Sequence, residues 1–88
     1  MRTIYKYPIE IEDFQILQVP QDFKILTTAV QNDKACIWAE VETDVPKIDL
    51  KIYVFGTGHK IPVEINLNYI GSVLMFDGRG VFHVYWAW

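Results

Sequence analysis

Apolar residues recur at every second position along Ile48-Asp49-Leu50-Lys51-Ile52-Tyr53-Val54-Phe55, with Ile48, Leu50, Ile52 and Val54 in phase. Successive side chains of a strand point to opposite faces, so the pattern predicts a strand buried on one side. The same alternation runs through Lys24 to Val30 and Ala35 to Val41, around Gln31-Asn32-Asp33-Lys34. Asn and Asp tolerate positive φ, which makes Asn32-Asp33 a two-residue hairpin loop. That loop pairs Val30 with Ala35, Thr28 with Ile37, Leu26 with Ala39 and Lys24 with Val41, and predicts Leu26, Val30, Ile37 and Val41 on one buried face. The opposite face then carries Ala29 with Cys36, Thr27 with Trp38 and Ile25 with Glu40.

A second hairpin is predicted from Tyr69 to Phe76, turning at Asp77-Gly78-Arg79-Gly80 and returning from Val81 to Trp86. In that register Phe76 meets Val81, Met75 meets Phe82, Leu74 meets His83, Val73 meets Val84 and Ser72 meets Tyr85. Both faces of this ribbon are apolar, so one is expected on the core and the other under a second cover, such as another copy of the chain. Thr3 to Ile11 and Phe14 to Val19 also read as strands, with Pro8 marking an edge or bulge in the first. Gln21 to Lys24 and Val63 to Asn68 are ambiguous. No stretch carries a helical apolar period. The expected fold is all-β, a single domain over residues 1–88, barrel-like or a sandwich, with six or seven short, mainly antiparallel strands.

Composition narrows the partners. Three Trp, five Tyr and five Phe side chains in 88 residues exceed what so small a core encloses, which favours a homo-oligomer. Trp86-Ala87-Trp88 is the first candidate for such an interface; the alternative is that both indoles close the monomer's own core. No apolar run approaches the roughly 20 residues of a membrane helix, and Met1 to Lys6 alternates too soon for a secretory signal. A soluble cytoplasmic protein with no membrane partner is expected. Cys36 is the only cysteine, which excludes an internal disulfide and a Cys-rich metal site and fits a reducing compartment.

The net charge is −3, and no basic stripe offers a track for long nucleic acid. Residues 1–44 hold four basic and eight acidic side chains, whereas residues 45–88 hold four basic and three acidic. A small anion is therefore expected on the second half. There, Gly56-Thr57-Gly58-His59-Lys60 follows a strand, and glycines at such a place let backbone N–H groups turn inward around an anion. Thr57, His59 and Lys60 add a hydroxyl, an imidazole and a charge. Arg79, at a hairpin tip, adds a planar fork suited to phosphate, reaching in from another subunit. The predicted ligand-binding residues are thus Gly56, Thr57, Gly58, His59, Lys60 and Arg79. A plain structural turn stopped by Pro62 is the competing reading. His83 has only His59 as an imidazole partner and reads as a hydrogen-bonded interior or interface residue. No metal site, cofactor or catalytic constellation is implied.

Several segments together resemble one family. Ile4-Tyr5-Lys6-Tyr7-Pro8, the run from Ile25-Leu26 through Gln31-Asn32 to Cys36-Ile37-Trp38-Ala39, Gly56-Thr57-Gly58-His59, Tyr69-Ile70-Gly71-Ser72-Val73 and Val81-Phe82-His83-Val84 are similar, in that order, to short uncharacterised proteins of phages and prophages. The YKYP start, the GTGH loop and the FHV ending are the most distinctive pieces. The family pattern stops soon after FHV, so Tyr85-Trp86-Ala87-Trp88 departs from it. The resemblance implies a phage accessory product acting inside a bacterial host cell. Of three function classes, the expected one is sequestration, without catalysis, of a nucleotide-like signalling molecule of host defence in a homo-oligomer. The alternative is inhibition of a host protein through an exposed aromatic face with no small ligand, and the third class is phosphoester hydrolysis using His59 and His83.

Overall fold

A computed structural model describes residues 1–88 and contains β1 (Arg2–Pro8), β2 (Phe14–Pro20), β3 (Phe23–Gln31), β4 (Lys34–Glu42), β5 (Lys47–Gly56), β6 (Asn68–Met75) and β7 (Gly80–Ala87), with no helix. The strands form two antiparallel sheets, β1-β4-β3 and β2-β5-β7-β6. No ladder joins the sheets, so the sandwich, not a closed barrel, is the architecture adopted. Ile37 and Val41 from β4 and Leu50 and Ile52 from β5 are fully buried between them, together with Val19 and Val84. The in-phase set of the central strand β5 thus supplies much of the core.

Asn32 and Asp33 take φ values of 53° and 62°, and Gln31 pairs with Lys34, which is the two-residue loop expected of this pair. Val30 still faces Ala35 and Thr28 still faces Ile37, but the ladder slips at Leu26: Ile25 meets Ala39, Lys24 meets Glu40 and Phe23 meets Val41. Ile25 and Leu26 are adjacent and both apolar, so a regular strand can turn only one of them inward. The bulge gives the core to Ile25, along with Phe23, and leaves Leu26 41% exposed. Val30, on the edge strand of its sheet, is 38% exposed although its partner Ala35 is buried. The predicted buried face therefore holds for Ile37 and Val41 and fails for Leu26 and Val30.

The second hairpin turns one residue earlier than expected. Phe76 and Asp77 both adopt φ 55°, so Phe76 belongs to the loop and Met75 pairs with Gly80, Leu74 with Val81, Val73 with Phe82 and Ser72 with His83. A slip of two residues in partner leaves every side chain on its predicted face while changing its neighbour. Val73 and Val84 go to the core, and Ser72, Leu74, Val81, His83 and Tyr85 line the outer face. An extra residue at Ile70 bulges β6. Beyond it, β6 approaches β3, where a Cβ on Gly71 would stand 3.0 Å from Thr28 Cγ2.

At the other end of the chain β1 stops at Pro8, which has no N–H for a ladder, instead of continuing to Ile11. Ile9 drops into the core and donates its N–H to Ala35 O at 2.9 Å. Gln15 then pins the connecting loop, its Nε2 donating to Glu10 O at 2.7 Å and its Oε1 accepting from Glu10 N–H at 2.9 Å. Tyr7 packs against the core from β1, and burial, with a smaller contribution from Tyr5, raises its hydroxyl above the ordinary value of 10.0. A raised phenol favours the neutral folded form, so that contribution is present below pH 10 and is lost as the pH rises through the folded value. Urea unfolding at about pH 9 and about pH 11 should show an alkaline loss of stability that is smaller in Tyr7→Phe. An equal loss in both proteins would remove Tyr7 as its source.

Candidate functional site

The loop after β5 is built by local hydrogen bonds. Thr57 N–H donates to Val81 O at 3.3 Å, and His59 N–H donates to Gly56 O at 3.0 Å, closing a turn in which Gly58 sits at φ 88°. That φ is costly for any residue with a Cβ. Gly56 makes room for the His59 ring. A Cβ there would stand 2.9 Å from His59 Cε1, so the missing side chain is what lets the imidazole lie back over the strand end. Two of the loop's backbone donors are used inside the chain. The expected concavity of N–H groups is reduced, and recognition at this place falls mainly to side chains.

The tip of the β6–β7 hairpin reaches the same place. Gly56, Thr57, His59 and Arg79 line one open depression of about 470 Å³, with Val81 and Phe82 as its apolar part. Arg79 thus joins the others within a single chain, where the sequence suggested a contribution from another subunit. Its Nε donates to Phe76 O at 3.1 Å. Lys60 turns to a neighbouring depression of about 300 Å³ that also includes His59. Gly58 faces open space and serves the turn.

Charge is distributed unevenly over these groups. Arg2 is held by Asp22 at 2.9 Å and Glu40 at 2.6 Å, which push its already high protonation range further up, and Lys34 is held by Glu10 at 2.6 Å. The remaining ion pairs join the Met1 amine to Glu42 and Asp44. Lys60 and Arg79 take part in none. The first half of the chain pairs two of its cations internally, and the second half leaves its own available.

His83, outside the six, is hydrogen-bonded as the sequence reading expects. His83 accepts or donates at both ring nitrogens, with Nδ1 2.7 Å from Ser72 Oγ and Nε2 2.8 Å from Thr57 Oγ1. Ser72 Oγ lies in turn 2.7 Å from Tyr69 Oη. A neutral imidazole has one N–H and one lone pair, so the chain of bonds runs in one direction and leaves a free hydroxyl proton at only one end, Thr57 or Tyr69. Thr57 therefore connects the depression to His83. The placement of Ser72 and His83 on one face was legible in the alternation, but their pairing depended on the true turn position.

A family model described as a domain of unknown function, DUF7352, matches residues 1–88. The chain belongs to that family. No curated protein and no solved structure matches it.

The outer face of the four-stranded sheet completes the surroundings of the DUF7352 site. Phe14 and Tyr53 rings lie 5.2 Å apart, Phe55 and Tyr85 5.7 Å, and Tyr85 and Tyr69 5.3 Å, forming an aromatic row across the strands. Tyr69 is 59% and Leu74 61% exposed on that face. The terminal indoles behave differently. Trp86 packs against the core and 5.4 Å from Phe23, whereas Trp88 rests 5.1 Å from Phe23 and stays 66% exposed. No group of three or more His, Cys, Asp or Glu side chains converges as metal ligands would.

Proposed function

We propose that the DUF7352 chain binds a small phosphate-bearing ligand in the depression lined by Gly56, Thr57, His59 and Arg79. In line with its resemblance to phage and prophage proteins, it acts as an accessory product that sequesters a nucleotide-like signalling molecule of host defence in the bacterial cytoplasm. The observation that carries this reading is the meeting of a hydroxyl, an imidazole and the unpaired Arg79 guanidinium at one open depression. A fork of N–H donors with no competing carboxylate is the chemistry phosphate needs. Binding is favoured over turnover by the surroundings of His83. Both its ring nitrogens meet hydroxyls, so an imidazolium formed by abstracting a proton would gain no carboxylate beside it.

Calorimetric titration with mononucleotides, nucleoside diphosphates and cyclic dinucleotides tests the reading. At least one should bind, with an affinity that falls only modestly with salt, since few charges are neutralised. Arg79→Ala should cost about 1.5 kcal/mol, the lower end for a hydrogen bond to a charged group because Arg79 is exposed, and so about tenfold in Kd. His59→Ala should weaken binding as well, and both variants should fold normally. Unchanged binding in both would move the ligand away from this loop.

A second reading rests on a different observation, the exposed Tyr69 and Leu74 beside the aromatic row. That face suits a second copy of the chain or a host protein. Light scattering at micromolar concentration should report a dimer or larger oligomer that Leu74→Lys disperses; a strict monomer at high concentration argues against self-association.

A further inference from the structure

His59 lines, among others, the depression that holds Arg79 and a second, of about 300 Å³, bounded by Phe14, Tyr53 and Phe55 with Asp13 and Lys60 among its lining. We infer that this second depression is a base subsite that reads guanine, so that the ligand is a guanine nucleotide with its phosphate on the far side of His59. The inference rests on the phosphate reading above and names the rest of the ligand.

Three features of the second depression carry it. Its walls are aromatic and mutually braced: Phe14 tilts against Tyr53 at 5.2 Å, and Tyr53 stacks on Phe55 at 6.3 Å with only 9° between the planes. Phe55 is buried while Phe14 stays exposed, so a planar ring has an open aromatic edge on a fixed floor to lie against. Next, Asp13 is anchored through its backbone, whose O accepts Val54 N–H at 3.3 Å, yet its carboxylate joins none of the chain's ion pairs, not even with Lys60. A carboxylate and an ammonium that share a depression without pairing present one acceptor group and one donor group to a ligand. Finally, that combination matches one base edge best. Guanine offers two parallel N–H groups, N1 and N2, for the two oxygens of a carboxylate, and O6 for an ammonium. Adenine, cytosine and uracil each offer one N–H at the corresponding edge, which leaves half of the Asp13 carboxylate without a donor.

Titration of the full chain with guanosine 5′-monophosphate, inosine 5′-monophosphate, adenosine 5′-monophosphate and ribose 5-phosphate separates the two halves of the site. The guanine nucleotide should bind about tenfold tighter than the inosine form, which lacks only the 2-amino group, and tighter still than ribose 5-phosphate. Asp13→Asn should bring the guanine nucleotide down to the inosine level and leave ribose 5-phosphate unchanged. Equal binding of all these compounds, with Arg79→Ala weakening each, would leave the phosphate reading standing and overturn the base subsite. A preference for adenosine monophosphate would overturn guanine as the base. Binding of none, ribose 5-phosphate included, would overturn both.

Discussion

Replacing Ile52 by alanine is expected to lower the unfolding free energy by about 3 to 4 kcal/mol, a large share of the about 5 to 15 kcal/mol that holds a small domain together. Ile52 has no exposed surface, and it sits on β5 between β2 and β7, with Gln15 and Trp86 as its cross-strand partners. Removing three carbons there forfeits their transfer free energy and leaves a cavity roofed by the opposite sheet. The sheets meet without a ladder, so their attachment depends on such packing, and the neighbours Leu50 and Val54 on the same strand cannot close the gap. Urea denaturation should move the midpoint strongly at an unchanged slope. A loss below about 1 kcal/mol would mean that the two sheets do not pack on this side chain.

Trp86→Ala should cost about 2 to 3 kcal/mol, less than the about 3 to 5 kcal/mol of a fully buried aromatic because Trp86 is only half-buried. Its ring meets Phe23 edge-on at 5.4 Å and Trp88 at 5.6 Å, interplanar angles 79° and 78°. Since Phe23 opens β3 and Trp86 lies on β7, this group ties one sheet to the other near the chain's end. Truncation at Trp88 alone should cost far less, because that indole is mostly in water. Equal losses at the two positions would place Trp88 in an interface that the isolated chain does not contain.

The alternation of Ile48, Leu50, Ile52 and Val54 was enough to define β5 and its buried side, and the Asn32-Asp33 pair was enough to define a hairpin and most of its register. Both are local properties: a pleat sends alternate residues to opposite faces, and positive φ at two successive positions is tolerated by few residues. The Leu26 bulge was not legible, because Ile25 and Leu26 are equally apolar and only the opposite sheet decides which of them is covered. Nor was the loop conformation of Phe76, a residue type that rarely adopts positive φ. Its effect on the site was direct, since moving that turn by one residue is what sets His83 opposite Ser72.

The candidate site divides along the same line. Its ingredients, the Gly56-Thr57-Gly58-His59-Lys60 loop, Arg79 at a tip and an excess of cations over anions in the second half, are written in the sequence, because turn chemistry and charge need no partner to be read. Their assembly is not. Arg79 meets Thr57 and His59 only because β5 pairs with β7, which carries the β6–β7 tip to the end of β5, and Lys60 leaves that group for the aromatic depression beside Asp13. Residues a few positions apart were sufficient to define the strands, most of their faces and the groups available for chemistry. Which distant groups share a depression emerged only from the folded chain, because strand order comes from burying both sheets' apolar faces at once, and no local segment encodes that choice.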